Sequence, residues 1–551
     1  MRVLLHGGAA PRPAACVNPT RTVIETHADT DSGPLVASAN RSSWRTSTLP
    51  PVATLQHPPT LDALAEVAHA GRTHRALPGD VAVGPALAHD AEHAVPSALS
   101  DRLRWAARFR GLLVGHADDL CTLVTRETAK PAWEAFSGDL LPLLAACRWI
   151  ERRAARVLRP RGVGPAPLWM FGQRHRVERA PLGRVAIIAT WNYPLQLLGV
   201  QLLHAVVAGN RVVVKPSERS PRSQGLLLDL AHRAGLPRDV LETRGASVED
   251  GRRMLETERF DHIVFTGSTR VGRHIALHAA ETLTPTTLEL SGSDTALVLD
   301  DADAALAARV LFHAAIMNAG QTCMAPRRAF VHERVYARFL AALAPLAAGA
   351  RPRALIDDAA AAHVWALVER SLAAGARSLS GVAEPPAGRT LRPVVVVDCP
   401  ADASLASIEH FGPALAVVPC RSVEDMLAAY ARIEQKLATS VFTASPARAR
   451  ALAPGLGSSL VTVNDAVLPA AHPGAPIAGR GVSGWGVSRG AEGLLAMTRP
   501  VHVSVTPRRL RTPPEPPHPA LAARLRGAML WWYARSAPRP APAALPQDPA
   551  S

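Results

Sequence analysis

Three shortages narrow the reading of this chain before any motif does. Only three of its 61 basic residues are lysines, Lys130, Lys215 and Lys436, so the formal net charge of +15 rests on arginines scattered over all 551 residues. Aromatic residues make up 4% of the chain, too few to interleave with that charge as the stacking platforms of a nucleic-acid groove, and no nucleic-acid partner is expected. The six cysteines, Cys16, Cys121, Cys147, Cys323, Cys399 and Cys420, form no Cys-x-x-Cys pair and no metal-ligand spacing. Neither a disulfide framework nor a metal site is expected, and a reducing cytoplasm suits such thiols best. No run reaches the ~18 to 20 apolar residues of a membrane-spanning helix, and Val3-Leu4-Leu5 is too short for a signal-peptide core.

What is present is enzyme-sized. With 48% hydrophobic residues, the chain can bury large cores and should divide into two or three domains. Residues 1–95 are rich in Pro, Ala, Ser, Thr and His, with a helical pattern only over 60–68, and read as a partly disordered extension. From Ser100 onward, Leu103, Trp105, Phe109, Leu112 and Leu113 recur at helical spacing, and another helical run covers 140–157. Residues 162–180 read as an exposed hairpin. Between 183 and 299, short β-branched runs at 184–189, 211–215, 261–265 and 287–290 alternate with helical stretches, the signature of a parallel sheet covered on both faces. A second αβ pattern follows, with strands near 328–332, 393–398, 414–419, 440–443 and 460–464, then a last strand at 501–505. The expected architecture is α/β: a doubly wound parallel-sheet nucleotide domain over 96–290, an α/β catalytic domain over 291–490, and a small β oligomerisation element joining the 162–180 hairpin to a strand within 495–508. Residues 509–551 read as a Pro- and Arg-rich tail. Within it Leu521, Leu525, Met529 and Trp532 share one face of a short helix, which suits packing on a subunit or weak contact with anionic membranes.

Three stretches carry chemistry. Asn318-Ala-Gly-Gln-Thr-Cys323 offers a cysteine, a strong nucleophile wherever local positive potential lowers its pKa. A free cysteine is more often a small buried hydrophobe, but the context here differs. Glu289 lies inside an apolar strand that ends in a turn, a setting that raises a carboxylate's pKa into the range of a general base. Asn192, in Ala189-Thr-Trp-Asn-Tyr-Pro194, supplies a carboxamide donor at the end of another strand. Two further strand ends suit a nucleotide. Asp261-His-Ile-Val-Phe-Thr-Gly-Ser268 passes through a tight turn into a helix whose free N–H groups can face a phosphate, although it lacks GxGxxG spacing. Lys215-Pro-Ser-Glu218 ends the preceding strand with a cation and with a carboxylate that accepts ribose hydroxyls and repels a 2′-phosphate.

Taken in order, Pro181-Leu-Gly183, Trp191-Asn-Tyr-Pro194, Lys215-Pro-Ser-Glu218, Phe265-Thr-Gly-Ser268, Leu288-Glu-Leu290, the Cys323 stretch, Glu409-His-Phe-Gly-Pro413 and Gly479 through Ser483-Gly484 resemble the aldehyde dehydrogenase family, from about 100 to 505. The wording around Asn192 and Glu289 is similar to the branch acting on fatty and aromatic aldehydes. The resemblance implies NAD(P)-dependent oxidation of an aldehyde to a carboxylic acid by a homodimer or homotetramer, with Cys323, Glu289 and Asn192 catalytic. It implies that Thr190, Trp191, Lys215, Ser217, Glu218, Gly267, Ser268, Gly272, Glu409 and Phe411 hold the cofactor, which the Glu218 carboxylate favours as NAD, with NADP possible. The sequence departs from the family at Ser291 and Ser293, where glycine and lysine are usual, and at Gln435-Lys436-Leu437, where a glycine is usual. A serine at 291 would be strained if that turn were left-handed, which opens the alternative of an impaired nucleotide-binding relative; a separate alternative is a CoA-acylating enzyme, although such relatives generally lack the base that Glu289 supplies.

Overall fold

The computed structural model describes residues 98–506, apart from 168, 169, 171 and 382, together with residues 517–535. The extension over 1–95, its helical pattern at 60–68, Cys16 and most of the tail lie outside the described residues. Two helices, Leu99–Gly115 and Leu141–Val157, turn Trp105, Phe109, Leu113, Leu143 and Ile150 into one core. The Trp105 indole stacks on Phe109 at 5.4 Å and donates its N–H to the Ala231 carbonyl at 3.0 Å, so this large apolar group leaves no polar atom unsatisfied. Between these helices a π-helical turn, Ala135–Leu140, widens the backbone, a distortion frequent at functional sites.

The first sheet has six strands in the order Gly484–Trp485, Thr286–Leu290, His262–Gly267, Arg184–Ile188, Arg211–Lys215 and Leu241–Thr243. All pairs are parallel except the first, where Gly484 lies opposite Glu289. The helix Pro194–Ala208 is buried along its whole length, which its apolar composition permits on every side. The second sheet has seven strands, Arg377–Ser378, Val394–Val397, Ala414–Cys420, Pro326–His332, Asp294–Val298, Ala438–Phe442 and Leu460–Val463, parallel except at the Arg377–Ser378 edge. Residues 291–490 therefore do not stay in one sheet: Gly484–Trp485 returns to the first, beside the strand that bears Glu289.

Several short strands were not anticipated, among them Leu241–Thr243, Asp294–Val298, Arg377–Ser378 and Gly484–Trp485. Leu241–Thr243 is too short to show a pattern, and Asp294–Val298 follows Thr286–Leu290 after three residues, so the two read as one run. The strand Arg174–Pro181 pairs antiparallel with Thr498–Val505 along its full length and with Arg161–Gly162 at its other edge, a ribbon whose side chains, Thr498 apart, are exposed or half-buried. The helix Pro519–Ala534 exists, but Leu530, Trp531 and Tyr533 are as exposed as Leu521, Leu525, Met529 and Trp532, so its apolar side chains surround the last turns instead of forming one face.

The strain that a left-handed turn would bring to residue 291 is absent. Ser291 does not adopt a positive φ, and its carbonyl accepts a hydrogen bond from Ser483 Oγ at 3.0 Å. Ser293 fills its place by accepting two bonds of 2.5 Å from the buried Arg328, at its carbonyl and at Oγ.

Candidate active site

Parallel strands deliver their carboxyl ends, and the loops that follow, to one edge of a sheet. At that edge of the first sheet, Arg184–Ile188 leads into Thr190, Trp191 and Asn192, Arg211–Lys215 leads into Ser217 and Glu218, His262–Gly267 leads into Ser268, and Thr286–Leu290 carries Glu289. The Cys323 loop comes from the other direction, just before the strand Pro326–His332 of the second sheet.

That loop is held by groups with no freedom to move. Asn318 (φ 51°, ψ 38°) and Ala319 (φ 54°, ψ 33°) are both left-handed, a conformation that costs on the order of 1 kcal/mol per non-glycine residue and persists only where surroundings enforce it. Gly320 continues the turn at φ 74°, where a β-carbon would stand 2.2 Å from the Gly412 backbone. The enforcing group is Arg327. Fully buried, it donates to the carbonyls of Gly320 and Thr322, each at 2.7 Å, and its guanidinium lies 5.4 Å from the Phe411 ring centroid. Asn318 Nδ2 reaches the carbonyls of Asn192 at 2.9 Å and Gln321 at 3.1 Å, tying the loop to the first sheet. On the far side, Lys130 donates to the Asn192 carbonyl at 2.8 Å and pairs with Asp139, both fully buried. Tyr193 Oη and Thr322 Oγ1 lie 2.6 Å apart.

Together these contacts enclose a cavity of about 470 Å³ lined by Cys323, Glu289 and Asn192 and also by Thr190, Trp191, Gly267, Ser268, Glu409 and Phe411. Lys215, Ser217, Glu218 and Gly272 are not on its wall. Lys215 is buried and pairs with the half-exposed Glu218 at 3.3 Å; the Ser217 amide is bound by Gln224 Oε1 at 2.7 Å. Gly272 sits against Leu290, where a β-carbon would approach to 2.4 Å, so it serves the close packing of the helix Thr269–Glu281 on the sheet. Ser268 caps that helix by accepting from the Val271 amide at 3.4 Å. Trp191 meets Phe411 edge-on at 5.9 Å, and Glu409 accepts from Gln435 at 2.5 Å.

Burial pushes the Glu289 carboxyl up to about 7, against the pull of Arg489 and a long 3.5 Å bond from Thr266 Oγ1. Its Oε1 is buried without a hydrogen-bond partner, so one oxygen has no internal claim upon it. The cysteine behaves contrary to expectation. Among the described residues Cys323 is the only cysteine not fully buried, yet loss of solvation, followed by the carboxyls of Asp294 and Glu289, pushes its thiol up to about 12 while Arg489 and Arg327 oppose them. The surroundings hold a neutral thiol, not a standing thiolate. Asp294 is itself pushed up to about 8 by burial; its Oδ1 accepts from the Leu437 amide at 2.9 Å and its Oδ2 has no partner.

Sequence reasoning missed Asp294, Arg327, Arg489, Tyr193 and Lys130. The last had a signal, as one of only three lysines. Two consecutive arginines, Arg327 and Arg328, inside a strand buried at all seven positions run against the usual exclusion of charge from cores.

Comparison with known proteins shows the family. Residues 58–503 match the aldehyde dehydrogenase family. The chain is 32% identical to a 4,4'-diapolycopene aldehyde oxidase of Methylomonas sp, over 76% of this chain and 79% of that protein. It is also 32% identical to a probable coniferyl aldehyde dehydrogenase of Pseudomonas aeruginosa, over 74% of this chain and 87% of that one. Among solved structures, Mycobacterium tuberculosis aldehyde dehydrogenase complexed with NAD+ superposes with a TM-score of 0.71 at 26% identity, covering 77% of this chain and 88% of that one. With most of its length accounted for in sequence and in fold, the chain belongs to the aldehyde dehydrogenase family, oxidoreductases that act on aldehydes with NAD(P).

Proposed function

We propose that the protein oxidises an aldehyde to a carboxylic acid through a covalent thioester on Cys323. The observation that supports this reading is the meeting of Cys323, Glu289 and Asn192 on one cavity wall, although they come from three separate segments. Because the resting thiol is neutral, sulfur attack on the carbonyl carbon must be coupled to loss of the thiol proton. That proton leaves to solvent, while Glu289, with a pKa of about 7 and a free oxygen, is the base kept for the water that later cleaves the thioester. The oxyanion that forms is stabilised by Asn192 Nδ2 and the Cys323 backbone N–H. Asn192 Nδ2 now donates to the Gln321 carbonyl at 3.2 Å, a long bond readily exchanged for a charged acceptor. Return of the oxyanion electrons to carbon expels hydride and leaves the thioester. Glu289 then removes a proton from water, the hydroxide adds to the acyl carbon, and the Cys323 sulfur departs and recovers that proton from Glu289 to restore the neutral thiol as the carboxylic acid is released.

A nicotinamide cofactor bound here supplies the hydride acceptor. The residues present fit one: a carboxylate at a strand end, a capped helix N-terminus at the next, and Glu409 and Phe411 on the cavity wall. Lys215, Ser217 and Glu218 would hold the adenosine ribose, Gly267 and Ser268 the pyrophosphate, and Glu409 the second ribose, with Thr190, Trp191 and Phe411 around the ring. Gly272 would act only by letting the helix come close. NAD is favoured over NADP for two reasons. Glu218 would repel a 2′-phosphate, and the neighbouring cation, Arg219, is already paired with Asp357 at 2.7 Å. Formation of NADH at 340 nm across a panel of aldehydes tests the activity. A thioester passed to CoA instead of water, with no free acid produced, would select the acylating reading.

The exposed ribbon of Arg174–Pro181 and Thr498–Val505 suits pairing with a second copy in a homodimer or homotetramer. The helix Pro519–Ala534 exposes Leu530, Trp531, Trp532 and Tyr533 beside Arg524 and Arg526, which suits weak contact with an anionic membrane surface; no helix among the described residues is long and apolar enough to cross one. Absence of co-sedimentation with anionic liposomes at low salt would refute that contact. Cytoplasmic residence is part of the same reading, since four described cysteines are buried and unpaired.

A further inference from the structure

One charged group on the cavity wall has no part in the chemistry above. Arg489 is 8% exposed and lines the same cavity as Cys323. Its backbone is left-handed, φ 63° and ψ 166°, a conformation rare for a bulky residue and usually kept where function requires it. Nη1 donates to the Ala470 carbonyl at 2.6 Å. The Gln196 carboxamide satisfies both its ends when its nitrogen donates to the Gly138 carbonyl at 3.2 Å and its oxygen accepts from Nη2 at 3.3 Å. These contacts fix the guanidinium and leave N–H donors over, since an arginine has five. No carboxylate lies within ion-pair distance of it among the described residues.

The other two buried arginines of the site differ. Arg327 and Arg328 each bury an Nε without a partner, but their terminal nitrogens are taken up by carbonyl and hydroxyl acceptors of Gly320, Thr322, Ser293 and Thr295, and neither residue lines the cavity. Arg489 is slightly less buried, has fewer acceptors, and lines the cavity that Leu197, Met317, Leu468 and Ile477 also line. An unpaired buried guanidinium cannot relieve its cost by losing its proton, because arginine stays charged. Such a group is a receptor for an anion that arrives with the substrate.

We propose that the cavity selects aldehydes whose far end bears a carboxylate or a similar oxyanion, gripped by Arg489. This rests on the reading of the cavity as an aldehyde-oxidising site. The rival role for Arg489 is as a countercharge to Glu289 and to the sulfur of Cys323, both of which share the cavity. The two roles separate in kinetics. A countercharge serves every aldehyde alike, whereas an anion receptor discriminates between substrates.

The test uses the full chain with NAD and a series of aldehydes bearing a terminal carboxylate, with two to five methylenes or a 1,4-phenylene spacer, each against its primary amide. For at least one spacer the acid should exceed the amide in kcat/KM by about 10- to 100-fold, the range of charge-assisted hydrogen bonding. In Arg489→Met that ratio should collapse toward one, chiefly through KM, while Arg489→Lys should retain part of it. Residual turnover of the amide by Arg489→Met reports that the variant is folded. Parallel loss on acid and amide, with a displaced pH profile, would overturn the proposal in favour of the countercharge role. Calorimetric binding of glutarate and terephthalate is the second arm. If no aldehyde is oxidised, the catalytic reading fails by itself, and dicarboxylate binding that weakens in Arg489→Met still supports the anion site. Absence of dicarboxylate binding, or binding equal in wild type and variant, refutes it.

Discussion

Replacing Glu289 with glutamine perturbs a single proton site and has consequences for stability as well as turnover. The carboxyl is raised from 4.5 to about 7, with loss of solvation the largest cause. In the unfolded chain it ionises as pH rises past 4.5, but in the folded protein it keeps its proton until about 7. Folding is therefore favoured by the neutral form. That contribution is fully present below 4.5 and is lost as pH rises through 7, because the folded protein binds more protons than the unfolded one across this window. At about 1.4 kcal/mol for each tenfold change in proton affinity, the ionised carboxylate at pH 8 destabilises the fold by ~3 kcal/mol relative to a neutral group. Glu289→Gln should thus match wild type in thermal stability at pH 4.5 to 5 and exceed it by a few degrees at pH 8. Turnover moves the opposite way: wild-type deacylation should climb as pH passes about 7, and the variant should have no such limb. Parallel melting temperatures for the two proteins from pH 5 to 8 would refute the claim that burial raises this carboxyl.

Two further outcomes follow from neighbouring groups. Glu218→Ser should shift the NAD to NADP ratio of kcat/KM toward NADP by at least about tenfold, through loss of carboxylate–phosphate repulsion; equal use of both cofactors by wild type and variant would remove Glu218 from cofactor choice. Asp294→Asn should speed alkylation of Cys323 by iodoacetamide at pH 9, where the Asp294 carboxylate otherwise discourages a second negative charge, and unchanged alkylation would remove Asp294 from control of the thiol.

The sequence disclosed those features that repeat or alternate. Strands such as Arg211–Lys215 and Ala414–Cys420 are β-branched runs bounded by polar or turn residues, and their ends matched the reading to within a residue or so. The grouping of Asn192, Glu289 and Cys323 was legible because each sits at the end of such a run or in a turn beside one. Features set by tertiary surroundings were not. The charge state of Cys323 depends on Asp294 and Glu289, brought close by folding, and on enclosure that no local pattern reports. Arg327, Arg328 and Arg489 appeared as three more members of an arginine-rich composition, although folding gives each a buried position. Whether Ser291 is strained depended on the handedness of its turn, which the usual glycine left open and which the fold resolves without a positive φ.

The central claim is that Cys323 carries the acyl group between oxidation and hydrolysis. It is tested most directly by mixing Glu289→Gln with NAD and an aldehyde that the wild type oxidises, quenching in acid, and mapping peptides by mass spectrometry. An acyl adduct is expected on the peptide containing Cys323, accompanied by one equivalent of NADH, and neither in Cys323→Ala. A stoichiometric burst of NADH with Cys323 unmodified, or an adduct on another residue, would contradict it.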